Sequence, residues 1–214
     1  CRELGFPSVA VYSEADAHAL HTRYADESVF IGATPAAESY LNIERVLAAA
    51  RETGANAVHP GYGFLAENAA FAQAVEDAGL IFIGPRPETI SSTGDKLVAR
   101  RVAREAGLPI LTGPDEPVAD EIPESLLKQI KYPVLIKAVA GGGGRGIRLA
   151  RRQDELEQMV AAARHEAQAA FGDGTVYFEP LVPQARHIEV QIIGDGFGRI
   201  LCLGERECSI QRRR

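Results

Sequence analysis

Residues 133–150 read PVLIKAVAGGGGRGIRLA, and the rest of the chain is organised around them. Val134, Leu135 and Ile136 form a short apolar run with strand character, closed by Lys137. Gly141, Gly142, Gly143 and Gly144 follow, then Arg145 and Gly146, then a second short run over residues 147–150. Four adjacent glycines make a poor core and a poor helix, because each loses more backbone entropy on folding than any other residue. What they offer is a backbone that can come close to a ligand, with N–H groups turned inward as anion donors. Lys137 and Arg145 place positive charge at the two edges of that loop. The pattern predicts a flexible flap over a polyphosphate; the plainer alternative is a disordered linker.

Three glycine-rich phosphate loops must be told apart. GGGGRG satisfies G-x-G-x-x-G letter by letter, but the dinucleotide fingerprint needs a helix opening directly after it. Here Ile147, Arg148, Leu149 and Ala150 follow, which read as a strand. The Walker pattern G-x-x-x-x-G-K-[ST] is absent. A strand–glycine–strand hairpin follows the logic of the loop that covers ATP in kinases, with its lysine on the strand before the glycines.

Composition sets the bounds. The chain has 214 residues, 46% hydrophobic and 24% charged, an ordinary globular balance for one large or two small domains. A net charge of -6 argues against a nucleic-acid backbone as partner. No long uninterrupted apolar stretch predicts a membrane span. Cys1, Cys202 and Cys208 are odd in number and lack a metal spacing, which suits a reduced cytosol and a cytoplasmic protein. The chain opens on Cys1 and stops at Arg214 without an ending, which reads as a fragment cut on both sides.

A recurring joint of helix, glycine and apolar strand runs through the first half. Gly5 precedes residues 9–12, Gly54 precedes 57–58, Gly79 precedes 80–83 and Gly107 precedes 108–111. Glycine fits the left-handed position that closes helices. The helices are amphipathic: Ile43, Val46, Leu47 and Ala50 share a face, as do Phe71, Val75 and Ala78, and Leu97, Val98 and Val102. Strands alternating with such helices predict βαβ units and a parallel sheet, so residues 1–85 read as an open α/β domain whose first strand lies upstream. HPGYGFLAEN, residues 59–68, sits at the carboxyl end of a strand, where ligands bind in open α/β sheets. The alternative is a structural turn around a buried Tyr62. Asn68 is placed to cap the next helix. His18 and His21 have the spacing of helix neighbours, without a third metal ligand in sight.

Residues 86–108 read as a helical connector in which Lys96 could reach a phosphate, or remain an exposed helix lysine. A proline-rich acidic stretch, residues 114–124, marks a boundary. A second domain over residues 109–182 holds the glycine-rich hairpin, and residues 183–214 begin a further lobe. Asp154 and Glu157 suggest a capping box, ahead of a helix buried through Leu156, Met159, Val160, Ala163 and Ala167. On residues 187–193, His187, Glu189 and Gln191 share one face by period two, either a site wall or an exposed sheet face. Cys208 reads as an inert thiol rather than a nucleophile. The terminal arginines suit anion binding.

Together, HPGYGFLAEN, GPRPETI at 84–90, GDK at 94–96, IKAVAGGGGRG, RHIEVQ at 186–191 and ERECSIQRR resemble the biotin carboxylase family in order and approximate spacing. The resemblance covers essentially the whole chain, as the first half of such a subunit. It implies an α/β fold: the Rossmann-like biotin carboxylase N-terminal domain, the ATP-grasp lid subdomain, and the start of the ATP-grasp C-terminal lobe. The implied activity uses ATP, with magnesium or manganese, to activate bicarbonate as carboxyphosphate and carboxylate biotin on a carrier protein. That is the first half-reaction of an acyl-CoA carboxylase, as in fatty acid biosynthesis. Implied partners are the biotin carboxyl carrier, a carboxyltransferase component and, at full length, a second copy in a homodimer; nucleic acid and membrane are not among them.

The resemblance also implies roles. Lys96 and Lys137 would bind ATP phosphates, Lys137 also lying near the adenine. Gly143 and Gly144 would be lid amides. Glu179, Pro180, Leu181 and Val182 would form the hinge whose backbone pairs with the adenine edge; EPLV stands where the family usually has EKYL. His187 would lie at the ribose, and Gln211 and Arg214 by the phosphates, Arg214 standing where many relatives carry His or Asn. The magnesium-binding glutamates, the bicarbonate and biotin contacts and the catalytic base are expected beyond residue 214. Phosphoryl transfer depends on metal ions clamping the phosphates, so the fragment alone is expected to be inactive. Another ATP-grasp ligase, or a non-catalytic nucleotide-binding module, is the alternative.

Overall fold

The computed structural model describes residues 1–114, 116–140 and 146–210. The chain divides into two compact units, Cys1–Gly94 and Asp95–Arg214.

The first unit runs β1 (Val9–Ser13), α1 (Leu20–Tyr24), β2 (Glu27–Gly32), α2 (Ile43–Glu52), β3 (Ala57–Val58), α3 (Ala69–Asp77), β4 (Ile81–Phe82) and α4 (Pro87–Gly94). β1 and β2 pair in parallel, Val9 opposite Glu27, and β3 and β4 do the same, Ala57 opposite Ile81. Parallel pairing is what strand–helix–strand connections produce. The single open sheet predicted from the sequence is present instead as two separate pairs among the described residues. β3 and β4 are only two residues each.

Glycine closes the predicted joints in the left-handed region, with φ of 72° at Gly5, 65° at Gly54, 74° at Gly79 and 75° at Gly107. After Gly107, however, residues 108–111 form no strand. The core of this unit joins Leu47 of α2, Phe71, Ala72 and Val75 of α3, Phe82 of β4 and Ile90 of α4. Phe71 and Phe82 meet edge to face, ring centroids 5.9 Å apart. Asn68 caps α3 as expected, its Oδ1 accepting from Phe71 N at 2.9 Å. Asn68→Ala is expected to lower stability by about 1 kcal/mol, read as a lower thermal midpoint. Two other expectations change. Tyr62 is 97% exposed, so it is not the buried centre of a turn. His18 lies outside α1, and His21 turns its Nε2 to Val11 O at 3.2 Å. Among the described residues no group of three metal-ligating side chains occurs.

The second unit runs α5 (Lys96–Glu105), α6 (Glu124–Leu127), β5 (Val134–Ala138), β6 (Ile147–Ala150), α7 (Leu156–Phe171), β7 (Val176–Pro180), β8 (Ile188–Gly194) and β9 (Ile200–Glu207). β5 is the central strand of an antiparallel sheet ordered β6-β5-β7, and β8 and β9 form a separate hairpin. Successive side chains alternate across a strand, so the register fixes two faces. Val134, Ile136 and Ala138 of β5 are buried, as are Val176 and Phe178 of β7. With Leu156, Val160 and Ala163 of α7 they form the core. Burying each of the larger of these side chains contributes roughly 1.5–3 kcal/mol. Arg148 of β6 points the same way and pairs with Glu166 of α7 at 2.6 Å.

The buried stripe of α7 is the predicted one, with Met159 partly buried beside it. The capping box is not formed. Glu155 is the N-cap and makes no side-chain cap; its Oε2 accepts from Arg151 N at 2.8 Å, and Asp154 accepts from Arg152. α5 buries no residue fully, and Val102 is 51% exposed, contrary to the face read from its periodicity. Lys96 and Arg100 of α5 donate to backbone carbonyls, Ala138 O and Leu111 O. No helix among the described residues is long and apolar enough to cross a membrane.

Candidate functional site

The opposite face of the β6-β5-β7 sheet carries Lys137 and Glu179. Leu135 and Lys137 lie on it from β5, opposite Leu149 and Ile147 of β6 and opposite Glu179 and Tyr177 of β7. A period-two strand with one apolar side against a helix necessarily presents its remaining side chains to the other face. That face is therefore an apolar platform of Leu135, Ile147 and Leu149 with charged groups at its edge.

Those groups are paired. Lys137 Nζ donates to Glu179 Oε1 at 2.8 Å. Tyr177 OH donates to Glu179 Oε2 at 3.3 Å. Arg100 Nη1 of α5 stands 3.7 Å from the same Oε2. Tyr177 is 2% exposed, and burial first, then the Glu179 charge, pushes its phenol well above the usual range, so it stays a neutral donor.

Lys96 completes the cluster. Asp95 Oδ1 caps α5 by accepting from Leu97 N at 2.8 Å and Val98 N at 3.0 Å, which fixes the first helical residue. Lys96 Nζ then donates to Ala138 O at 2.9 Å and Val139 O at 3.3 Å, where β5 leads into the glycine-rich segment. It is thus tied down rather than an exposed helix lysine. At the far end of that segment, Gly146 O accepts from Ala138 N at 3.0 Å. Gly146 has φ of 66°, and a Cβ there would lie 2.8 Å from Ala138 Cβ. Gly146→Val is expected to destabilise by roughly 1–3 kcal/mol, checked by thermal unfolding, because both strain and overlap must be relieved.

Residues 179–182 follow directly along and beyond β7. Glu179 and Pro180 end the strand, Leu181 N donates to Pro133 O at 3.4 Å, and Val182 is 44% exposed. His187 lies just before β8, on the separate hairpin; its N donates to Ser209 Oγ at 2.8 Å and its Nε2 is 3.6 Å from Glu189 Oε1. His187 and Glu189 do share a face, and Glu189 also pairs with Arg206. A hydrogen bond to Glu189, with burial, holds the Cys208 thiol above its usual range, which disfavours the thiolate. Gly143, Gly144, Gln211 and Arg214 lie outside the described residues.

The structure pairs Lys137 with Glu179, ties Lys96 to the backbone carbonyls just after Lys137, and places His187 on another sheet. Arg100 and Tyr177 belong to the cluster and escaped the sequence reading. A signal existed for Arg100: it stands four residues after Lys96, on the same helix face.

A family model described as biotin carboxylase, N-terminal domain, matches residues 1–90. A second, described as carbamoyl-phosphate synthase L chain, ATP binding domain, matches residues 95–214. Over 215 residues the chain is 48% identical to a biotin carboxylase from Haemophilus influenzae, covering 100% of this chain and 48% of the relative. The chain belongs to the biotin carboxylase family. A solved biotin carboxylase from Campylobacter jejuni, described as a complex with beta-gamma-ATP, matches with a TM-score of 0.94 and 47% identity, covering 99% of this chain and 48% of that one. The biotin carboxylase domain dimer of Hydrogenobacter thermophilus 2-oxoglutarate carboxylase, solved with MgADP, ADP and bicarbonate, matches with a TM-score of 0.93 and 47% identity, covering 100% and 47%. The chain thus spans about half the length of the biotin carboxylases it matches. What the described residues supply is positive charge beside an apolar platform.

Proposed function

We propose that the protein catalyses ATP-dependent carboxylation of biotin held on a carrier protein, with bicarbonate activated as carboxyphosphate. The observation that carries this reading is the cluster on the open sheet face. Two ammonium groups, Lys96 and Lys137, stand at the root of a glycine-rich segment, next to a platform of Leu135, Ile147 and Leu149. An apolar surface suits a purine ring, and the ammonium groups suit its phosphates. In this reading the backbone of residues 179–182 pairs with the adenine edge, His187 lies at the ribose, and Gly143 and Gly144 cover the phosphates. The same reading assigns Gln211 and Arg214 to the phosphates. Magnesium, when bound, would neutralise charge on the triphosphate. Lys96 and Lys137 hold and orient the triphosphate.

The product passes to a carboxyltransferase, and the acceptor we assign is an acyl-CoA, acetyl- or propionyl-CoA, in a cytoplasmic enzyme that works as a homodimer. Support for the carboxylase reading comes from relatives named biotin carboxylase and from a dimeric relative solved with bicarbonate. That relative belongs to a 2-oxoglutarate carboxylase, so the acceptor is tested separately. The full-length protein, supplied with its carrier and carboxyltransferase, is expected to move labelled bicarbonate into acetyl- or propionyl-CoA; label entering only a 2-oxo acid would reassign the acceptor. The half-reaction itself is tested by bicarbonate-dependent ATP hydrolysis in the presence of free biotin. Hydrolysis indifferent to bicarbonate would overturn the reading. Replacing Gly143 and Gly144 by Val is expected to impair that turnover while the protein stays folded, because the backbone could no longer close on the phosphates.

A further inference from the structure

Lys137 has a competing attachment. Its ammonium is bonded to Glu179 at 2.8 Å, and Glu179 is only 13% exposed. A ligand phosphate can take that ammonium only if Glu179 keeps a counter-charge, since a buried carboxylate stripped of its partner is strongly destabilised. Tyr177 cannot supply the charge, being a neutral donor. Arg100 can. Its side chain is 11% exposed, Nη1 lies 3.7 Å from Glu179 Oε2, and Nη2 donates to Leu111 O at 2.7 Å. The guanidinium is always charged, and its planar fork serves two partners at once.

We propose that Arg100 is a positioning residue for nucleotide binding: it holds the second carboxylate oxygen of Glu179, so that Lys137 can transfer its ammonium from Glu179 to a nucleotide phosphate. This rests on the nucleotide reading above. Arg100 touches no reacting atom; it acts through Glu179 on Lys137. Without it, Glu179 retains Lys137 and the phosphate loses a cation.

The test is ATP binding by the full-length protein, measured by titration calorimetry for the unaltered form, Arg100→Met, Arg100→Lys, Glu179→Gln and the double variant Arg100→Met/Glu179→Gln. Arg100→Met is expected to weaken ATP about tenfold, the loss of roughly one charge-assisted contact. Arg100→Lys, which keeps the charge and loses the fork, is expected to weaken it about threefold. The decisive reading is the double variant. With the carboxylate gone, Lys137 is no longer captured, so Arg100→Met is expected to cost less than about twofold in the Glu179→Gln background. A merely structural role for Arg100 would give the same loss in both backgrounds, and that result overturns the proposal. So does unchanged affinity in Arg100→Met. If Arg100→Met does not fold, Arg100→Lys is carried through the same pair of backgrounds, and equal losses overturn the proposal there. Failure of the unaltered protein to bind ATP would overturn the nucleotide reading itself, a different outcome from ATP binding that ignores Arg100.

Discussion

Lys137→Ala in the full-length protein is expected to weaken ATP binding by about 10- to 150-fold, the loss of one charge-assisted phosphate contact worth roughly 1.5–3 kcal/mol. The fold should survive the change. Lys137 stands on the open face of β5, half-buried, and contributes nothing to the helix-facing core. Glu179 would keep Arg100 at 3.7 Å and the Tyr177 hydroxyl at 3.3 Å, so removing the lysine leaves no naked carboxylate. Titration of ATP into the variant, together with its melting curve, checks both halves. Affinity equal to that of the unaltered protein would remove Lys137 from the site.

Phe178→Ala is expected to do the reverse. Phe178 is one residue from Glu179 but on the other face, 1% exposed among Val134, Ile136, Leu156 and Val160. Truncating a buried phenylalanine removes its transfer free energy and leaves a cavity, about 3–5 kcal/mol together. Much of the stability of an ordinary domain is of that size. The variant is expected to melt at a clearly lower temperature, while ATP affinity measured well below that transition changes little. A loss of affinity without a loss of stability would mean that the two faces of the sheet are not separated as described.

That separation was legible in the sequence only in part. The strands β5 and β6 could be read because two apolar runs flank glycines that no core can use. The joints at Gly5, Gly54, Gly79 and Gly107 could be read because a left-handed closing residue is nearly always glycine. Residues 108–111 misled for a physical reason. A run of four apolar residues does not distinguish a strand from an extended segment, and here Leu111 O accepts from the Arg100 side chain. The capping box failed because Glu155 took the backbone N–H of Arg151. In the candidate site, Lys137 could be found from its place at the strand end. The part played by the Glu179 side chain could not, because its charged partners come from β5 and α5, distant in sequence and joined only by the sheet register and the helix packing. Pattern raised His187 and Lys96 as candidates, and family likeness decided between that reading and the plainer one each residue has alone.

In the proposed enzyme a nucleotide lies on the Lys137 face of the β6-β5-β7 sheet, its phosphates held by strand and helix lysines. The most direct measurement is a crystal structure of the full-length protein with a non-hydrolysable ATP analogue. The purine is expected against Leu135, Ile147 and Leu149, its edge on the backbone of residues 179–182, with a phosphate oxygen within about 3.2 Å of Lys137 Nζ. A nucleotide seated elsewhere, with Lys137 still on Glu179, would contradict it.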